Sequence, residues 1–224
     1  MKLLKVYLLL ITLIIISCGK KSLYFDEHGK QLTKTEFQEQ YRDSLNGLAY
    51  WEKENDTARI ISLHPEFKQY EVSYSSFLQK LQQMTGKEFD NNSVVIISYE
   101  YRDDLCAKRG NHFWSKRRIA EEKDFTDDIK TNIGLMNKEL IYLVFFEQGI
   151  KLLNEPDSGN EYFFSDKGNF LRNSIFKNPT TCGSVALLRP PGEILVTHSE
   201  GRTDIVAQKF LPDNAWHQLF PPKK

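Results

Sequence analysis

Cys106 is the side chain of this sequence best suited to nucleophilic chemistry, because a thiol reacts as its thiolate and nearby cations favour that form. It lies in the loop Arg102-Asp103-Asp104-Leu105-Cys106-Ala107-Lys108-Arg109. Lys108 and Arg109 follow it, and a helix amino end is expected beyond them. Glu100, Asp103 and Asp104 offer oxygens for a hard cation at the same place. Calcium sites use more oxygen ligands than this, so an ordinary polar loop is the expectation. His28, His64, His112, His198 and His217 are far apart and lack the spacing of zinc ligands. No metal centre is expected. No Gly-rich phosphate loop, nucleophile elbow or paired serine–histidine motif appears, so no cofactor is expected either.

The elements that must hold this loop follow from periodicity. Val94-Val95-Ile96-Ile97-Ser98-Tyr99 is the β-branched run of a buried central strand, and it delivers the chain into the cysteine loop. A helical stretch between His112 and Ile133 carries Phe125, Ile129 and Ile133 as an apolar stripe. Within it, Lys116-Arg117-Arg118 followed by Glu121-Glu122 reads as a solvated face. Leu140 to Phe146 is a second buried strand, and a short helix is expected around Asp166 to Phe176. Val185-Ala186-Leu187-Leu188 and Ile194-Leu195-Val196 form a hairpin with Pro191 and Gly192 at its central turn positions.

Upstream, Ala58 to Leu63 reads as a strand, and Ser75 to Thr85 as a helix closed by Gly86. Leu23-Tyr24-Phe25 reads as a short strand. Thr33 and Glu36 stand in capping-box spacing, with Leu32 and Phe37 as a hydrophobic staple. Phe37, Tyr41, Leu45 and Leu48 continue at helical spacing. Trp51, Trp114 and Trp216 are isolated in sequence and expected to pack against the domain. The tail Phe220-Pro221-Pro222-Lys223-Lys224 is expected to be extended and solvated.

The chain has 224 residues, enough for one well-filled domain with an appendage. Its 40% hydrophobic and 27% charged residues suit a folded globular protein. Basic and acidic residues number 30 each. Losing a leader that carries Lys2 and Lys5 leaves 28 against 30, a charge of −2. No basic field suited to nucleic acid results. The start Met1-Lys2-Leu3-Leu4-Lys5 is basic, and Val6 to Ile16 is almost wholly apolar. As a helix that core spans roughly 16 Å, about half a hydrocarbon core, which fits a secretory leader better than a membrane span.

Ile15-Ile16-Ser17-Cys18 resembles the lipobox of bacterial lipoproteins. The resemblance implies a leader over 1–17, acylation (palmitate) at Cys18, a tether over 18–22 and attachment to a membrane through lipid. Gly19 stands where some such proteins carry an inner-membrane retention aspartate, which leaves a periplasm-facing outer-membrane address in the cell envelope as the expectation. The lipobox, the abundance of Lys, Asn, Ile and Phe, and the strand Ile96 to Tyr101 running into a cysteine loop also look like uncharacterised lipoproteins of Bacteroidota.

The order of elements over residues 57–202 is similar to the thioredoxin-like fold. That resemblance implies an α/β architecture: a mixed sheet with helices on both faces and a C-terminal β-hairpin. Residues 23–56 would be a strand–helix extension, and 57–224 the main domain. It also implies that Cys106 stands at the family's attacking position. The departures are two. Arg109 occupies the place of the second cysteine of Cys-x-x-Cys, and the family's cis-proline would fall near Ser184, with Pro179 about five residues too early. In such a sheet the loops holding Cys106 and Cys182 are neighbours, so a disulfide between them is the expectation, either as a staple or as a switchable pair. Two functions follow. One is a non-catalytic domain that binds an envelope protein or supports an envelope assembly. The other is a thiol-dependent oxidoreductase or peroxidase using Cys106, with Cys182 resolving.

Overall fold

The computed structural model describes residues 20–43, 47–106, 111–136, 139–155, 158–198 and 202–221. The leader, Cys18, Leu45, Lys108, Arg109 and the last three residues of the tail lie outside the described residues. The chain builds a mixed α/β structure on two main sheets.

The larger sheet carries the cysteine loop. Its strands are β5 (Phe67–Glu71), β6 (Val94–Glu100), β8 (Leu140–Phe146), β10 (Phe163–Ser165), β11 (Ser184–Arg189) and β12 (Glu193–Thr197). They lie in the order β10-β8-β6-β11-β12-β5, with β6, β8 and β10 mutually parallel and β11 antiparallel to both β6 and its hairpin partner β12. Helices cover both faces, as expected. The helix Tyr74–Thr85 packs Phe77, Leu78 and Leu81 on Val95, Ile97 and Tyr99. The long helix Lys116–Met136 covers Ile96, Tyr142 and Val144 on the opposite face with Ile119, Ile129 and Ile133. We number the helices α1 (Lys34–Arg42), α2 (Tyr74–Thr85), α3 (Lys116–Met136), α4 (Phe170–Ser174), α5 (Thr203–Phe210) and α6 (Asp213–Leu219). No helix among the described residues is long and apolar enough to cross a membrane.

The smaller sheet is β2-β1-β4-β3, formed by β1 (Lys21–Phe25), β2 (Gln31–Leu32), β3 (Leu48–Glu54) and β4 (Ala58–Pro65). Ala58 to Leu63, expected to open the main sheet, therefore sits between β1 and β3 instead, and the edge strand of the main sheet is β5. A two-stranded parallel pair, β7 (Phe113–Trp114) with β9 (Lys151–Leu152), completes the strands.

Local signals explain most of these elements. The capping box of α1 is formed: Glu36 N–H donates to Thr33 Oγ1 (3.2 Å) and Thr33 N–H to Glu36 Oε2 (2.7 Å). Leu32 and Phe37 are buried together as the staple. The helix stops at Arg42, however, and Leu48 belongs to β3, whose seven residues pair in full with β4. In α3 the buried stripe runs through Ile119, Thr126, Ile129 and Ile133, whereas Phe125 is 53% exposed. Thr126 takes the buried place because its hydroxyl bonds Glu122 O and Tyr162 Oη. The hairpin turn also differs: Gly192 N–H donates to Arg189 O (2.8 Å), which makes Pro190 and Pro191 the central residues. All three tryptophans are buried. Phe220 is buried too, stacked on Trp216, because α5 and α6 carry the tail back onto the sheet.

Candidate functional site

Alternation along β6 sends Ser98 and Glu100 toward α3, and Tyr99 and Tyr101 to the α2 face. The loop after Glu100 returns as Asp104 and Cys106, and the loop before β11 brings Thr181, Cys182 and Gly183 alongside. Cys106 and Cys182 form the expected disulfide, with Cα atoms 4.9 Å apart across a separation of 76 residues. Cys106 is exposed and Cys182 half-buried.

The buried carboxylate of Asp104 ties these loops independently of sulfur. Its Oδ1 accepts from the backbone N–H of Cys106 (2.8 Å) and Cys182 (3.2 Å), and its Oδ2 from Gly183 N–H (3.0 Å). Cys182 and Gly183 are both left-handed, with φ of 67° and 80°, which turns their N–H groups to the carboxylate as an anion nest does. Gly183 has little alternative: a Cβ there would stand 2.9 Å from Tyr99 O and 3.6 Å from Glu100 Oε1.

Next to the disulfide, Asn111 organises the wall. Its Oδ1 accepts from Trp114 Nε1 (2.7 Å) and Arg118 Nη2 (2.8 Å), which orients its Nδ2 to donate to Glu100 Oε2 (3.0 Å). Arg118 lies 3.9 Å over the Trp114 ring and donates to Phe113 O. Ser115 caps this end of α3, its Oγ accepting from Arg118 N–H. The result is a cavity of about 230 Å³ between β6, β8 and α3, continuing beside the disulfide into a second hollow of about 200 Å³. Glu100, Trp114, Glu122 and Cys182 line both parts. At the far wall Ser98 Oγ bonds Thr203 Oγ1 (2.7 Å) and Tyr142 Oη (3.2 Å). Arg202 at the rim is held by Asp204.

The electrostatics are unusual for carboxylates. Burial, reinforced by the Glu122 and Asp104 carboxylates, pushes the Glu100 carboxyl up to about 7, against the pull of Asn111 and Arg118. Burial also raises Glu122, with Arg118 opposing. On the other face, Ser184 Oγ joins Tyr101 Oη (2.9 Å), Thr180 Oγ1 (3.1 Å) and His198 Nδ1 (3.0 Å). His198 is buried, with no partner for Nε2 among the described residues, and burial beside His64 and Lys68 depresses it to about 4.

Of the residues singled out from sequence, Glu100, Asp104, Cys106 and Cys182 come together, while Asp103 points outward to Arg102 and His112. No metal-ligating group of three occurs among the described residues. Ser184 stands where a cis-proline was sought, and the cis peptide bond lies between Pro190 and Pro191. Asn111 and Thr203 had not been singled out, and Arg118 and Glu122 had been expected on a solvated face. Lys116, Arg117 and Glu121 are exposed, as a solvated face requires, but Arg118 and Glu122 turn inward. The i, i+4 spacing of Arg118 and Glu122 within α3 is the signal that marks this second stripe, with Trp114 of β7 just ahead of it. No family model, curated protein or solved structure matches the chain.

Proposed function

We propose that this chain is a bacterial lipoprotein, acylated at Cys18, whose thioredoxin-like domain binds an envelope partner without catalysing a reaction on it. The observation that carries the reading is the cleft at the carboxyl end of β6. It is walled by recognition groups and closed by a disulfide whose loops Asp104 already fixes. Ligands of such sheets gather at this end. The neighbour order β8-β6-β11-β12, with α3 crossing between β6 and β8, supports the thioredoxin-like reading. β1 starts three residues beyond Cys18, a span of about 10 Å when extended, so the small sheet would lie against the bilayer, on the outer membrane in the preferred address. Labelling cells with an alkyne fatty acid tests the anchor: Cys18→Ala should lose both label and membrane fractionation. In-cell crosslinking tests the binding role: a folded Cys106→Ser/Cys182→Ser variant should keep the wild-type partners, and losing them would refute it.

A second reading, a thiol oxidoreductase or peroxidase, is favoured by the exposure of Cys106 in the disulfide and by Glu100 in the same wall. It requires dithiol oxidation or peroxide reduction that disappears in Cys106→Ser. An inert reduced domain would reject it.

A further inference from the structure

We infer that Asp104 is the positioning residue of the Cys106–Cys182 pair: in the reduced chain its carboxylate keeps the two cysteine loops where they stand in the bonded one, so that the disulfide forms and breaks without the domain opening. The inference goes beyond both readings above and depends on neither. Its failure would leave the crosslinking and activity outcomes as they stand.

Three features carry it. First, the buried Asp104 side chain joins the loops through backbone rather than through sulfur: Oδ1 accepts from Cys106 N–H (2.8 Å) and Cys182 N–H (3.2 Å), and Oδ2 from Gly183 N–H (3.0 Å). Hydrogen bonds to a charged acceptor are about twice as strong as neutral ones. Two of these bonds end on the cysteines themselves, so both backbones are set before any bond between the sulfurs. Second, the Cys182 loop is fixed from its own side. Ser184, which pairs with Tyr99 across β6 and β11, bonds Tyr101 Oη, and Thr180 Oγ1 donates to Gly183 O (2.9 Å). The left-handed backbone at Cys182 and Gly183 aims two N–H groups at one carboxylate, an arrangement that an anion rewards and a sulfur bond does not require. Third, the Cys106 loop is closed at its base, where Asn111 N–H donates to Arg102 O (2.9 Å) and Arg102 N–H to Glu147 Oε2 (2.9 Å). Cys106 within it is exposed and open to a small thiol or disulfide from solvent, whereas Cys182 is half-buried against the cleft. In oxidation by glutathione disulfide, the Cys106 thiolate attacks one sulfur of that reagent and a glutathione thiolate leaves. The Cys182 thiolate then attacks Cys106 Sγ in the mixed disulfide, and the second glutathione thiolate leaves. One S–S bond breaks and one forms, the protein pair loses two electrons to the glutathione disulfide, and the two thiol protons pass through solvent to the departing glutathiones.

The test equilibrates the full chain, in nonionic detergent, with mixtures of reduced and oxidised glutathione. After an acid quench and thiol blocking, the peptides holding Cys106 and Cys182 are read by mass. The effective concentration of the pair should exceed by at least about a hundredfold the roughly millimolar value of two groups on a flexible tether. Asp104→Asn keeps the size of the side chain but puts an amide NH2 where one oxygen accepted. It should lower the effective concentration at least about tenfold, about 30 mV for this two-electron couple. Asp103→Asn, in the same loop but directed outward to Arg102 and His112, should leave it unchanged. Urea denaturation of oxidised and reduced chains separates positioning from stability alone. A purely structural Asp104 would stabilise both chains equally and leave the glutathione equilibrium in place. A positioning Asp104 stabilises the oxidised chain more, so Asp104→Asn should narrow the gap between their folding constants by the same factor of about ten. If Asp104→Asn does not fold, hydrogen exchange in the reduced wild type decides: the amides of Cys106, Cys182 and Gly183 should exchange at least about tenfold more slowly than in open chain. A millimolar effective concentration in the wild type, or an equilibrium unmoved by Asp104→Asn or moved as far by Asp103→Asn, would overturn the inference. So would an equal loss of stability in both chains, or open-chain exchange of those three amides in the reduced protein.

Discussion

Replacing Glu100 by Gln removes a titratable proton from the cleft while keeping an oxygen that can accept from Asn111 Nδ2. The folded-state value of Glu100 is raised to about 7 from an ordinary 4.5, so folding favours its protonated form. The associated stability is fully present below about pH 4.5 and is lost as pH rises through 7. A displacement of this size corresponds to about 3 kcal/mol between the two limits. The variant is therefore expected to match wild type near pH 4.5, gain progressively above it, and reach about 3 kcal/mol of extra stability by pH 8. Urea denaturation followed by tryptophan fluorescence, with the disulfide kept oxidised, measures this at half-unit steps of pH. Titrations of groups that do not act on Glu100 occur in both proteins and cancel in the difference. A difference that stays flat from pH 4.5 to 8, or a variant less stable at pH 8, would refute the claim that Glu100 is a desolvated carboxyl. A residue held at such cost suits a site kept for binding rather than for stability.

Three further outcomes are expected. His198 is depressed to about 4, so the unfolded chain takes its proton first on acidification: stability should fall from about pH 6.5 to pH 4 by about 3 kcal/mol, and His198→Gln should flatten that limb of the denaturation profile. Gly183→Ala puts a Cβ against Tyr99 O at a positive φ and should cost about 1–3 kcal/mol by the same denaturation assay. Cys106→Ser/Cys182→Ser opens a loop closed across 76 residues and should lower stability by about 4 kcal/mol, with the fold retained through Asp104 as read by circular dichroism.

The sequence carried the strands that are apolar on both faces and the elements with local chemistry. β6 and β8 are runs too apolar to lie anywhere but centrally, and Thr33 with Glu36 sets the start of α1 within three residues. Partner choice between sheets was not legible in the same way. β4 alternates as well as any strand, and nothing local distinguishes an edge of the main sheet from the space between β1 and β3. Phe125 and Thr126 exchanged roles because a hydroxyl satisfied by Glu122 O and Tyr162 Oη can be buried like a methyl group. The disulfide was legible through the fold, since neighbouring loops bring the two cysteines together. The Asn111 hub was not: a single amide in a loop gives no periodic signal, and its three partners emerge only in space.

The parallel pairing of β1 with β4 has a mechanical meaning. The chain reaches β1 at Lys21, opposite Ala58, and leaves β4 for the main sheet at Pro65, the far end of the pair. Tension between the amino terminus and the main domain therefore pulls the two strands past each other along their length. All five paired positions bear the load together, instead of opening one after another as in peeling. A load applied at the amino terminus would therefore meet the small sheet in shear, the geometry in which paired strands resist separation most.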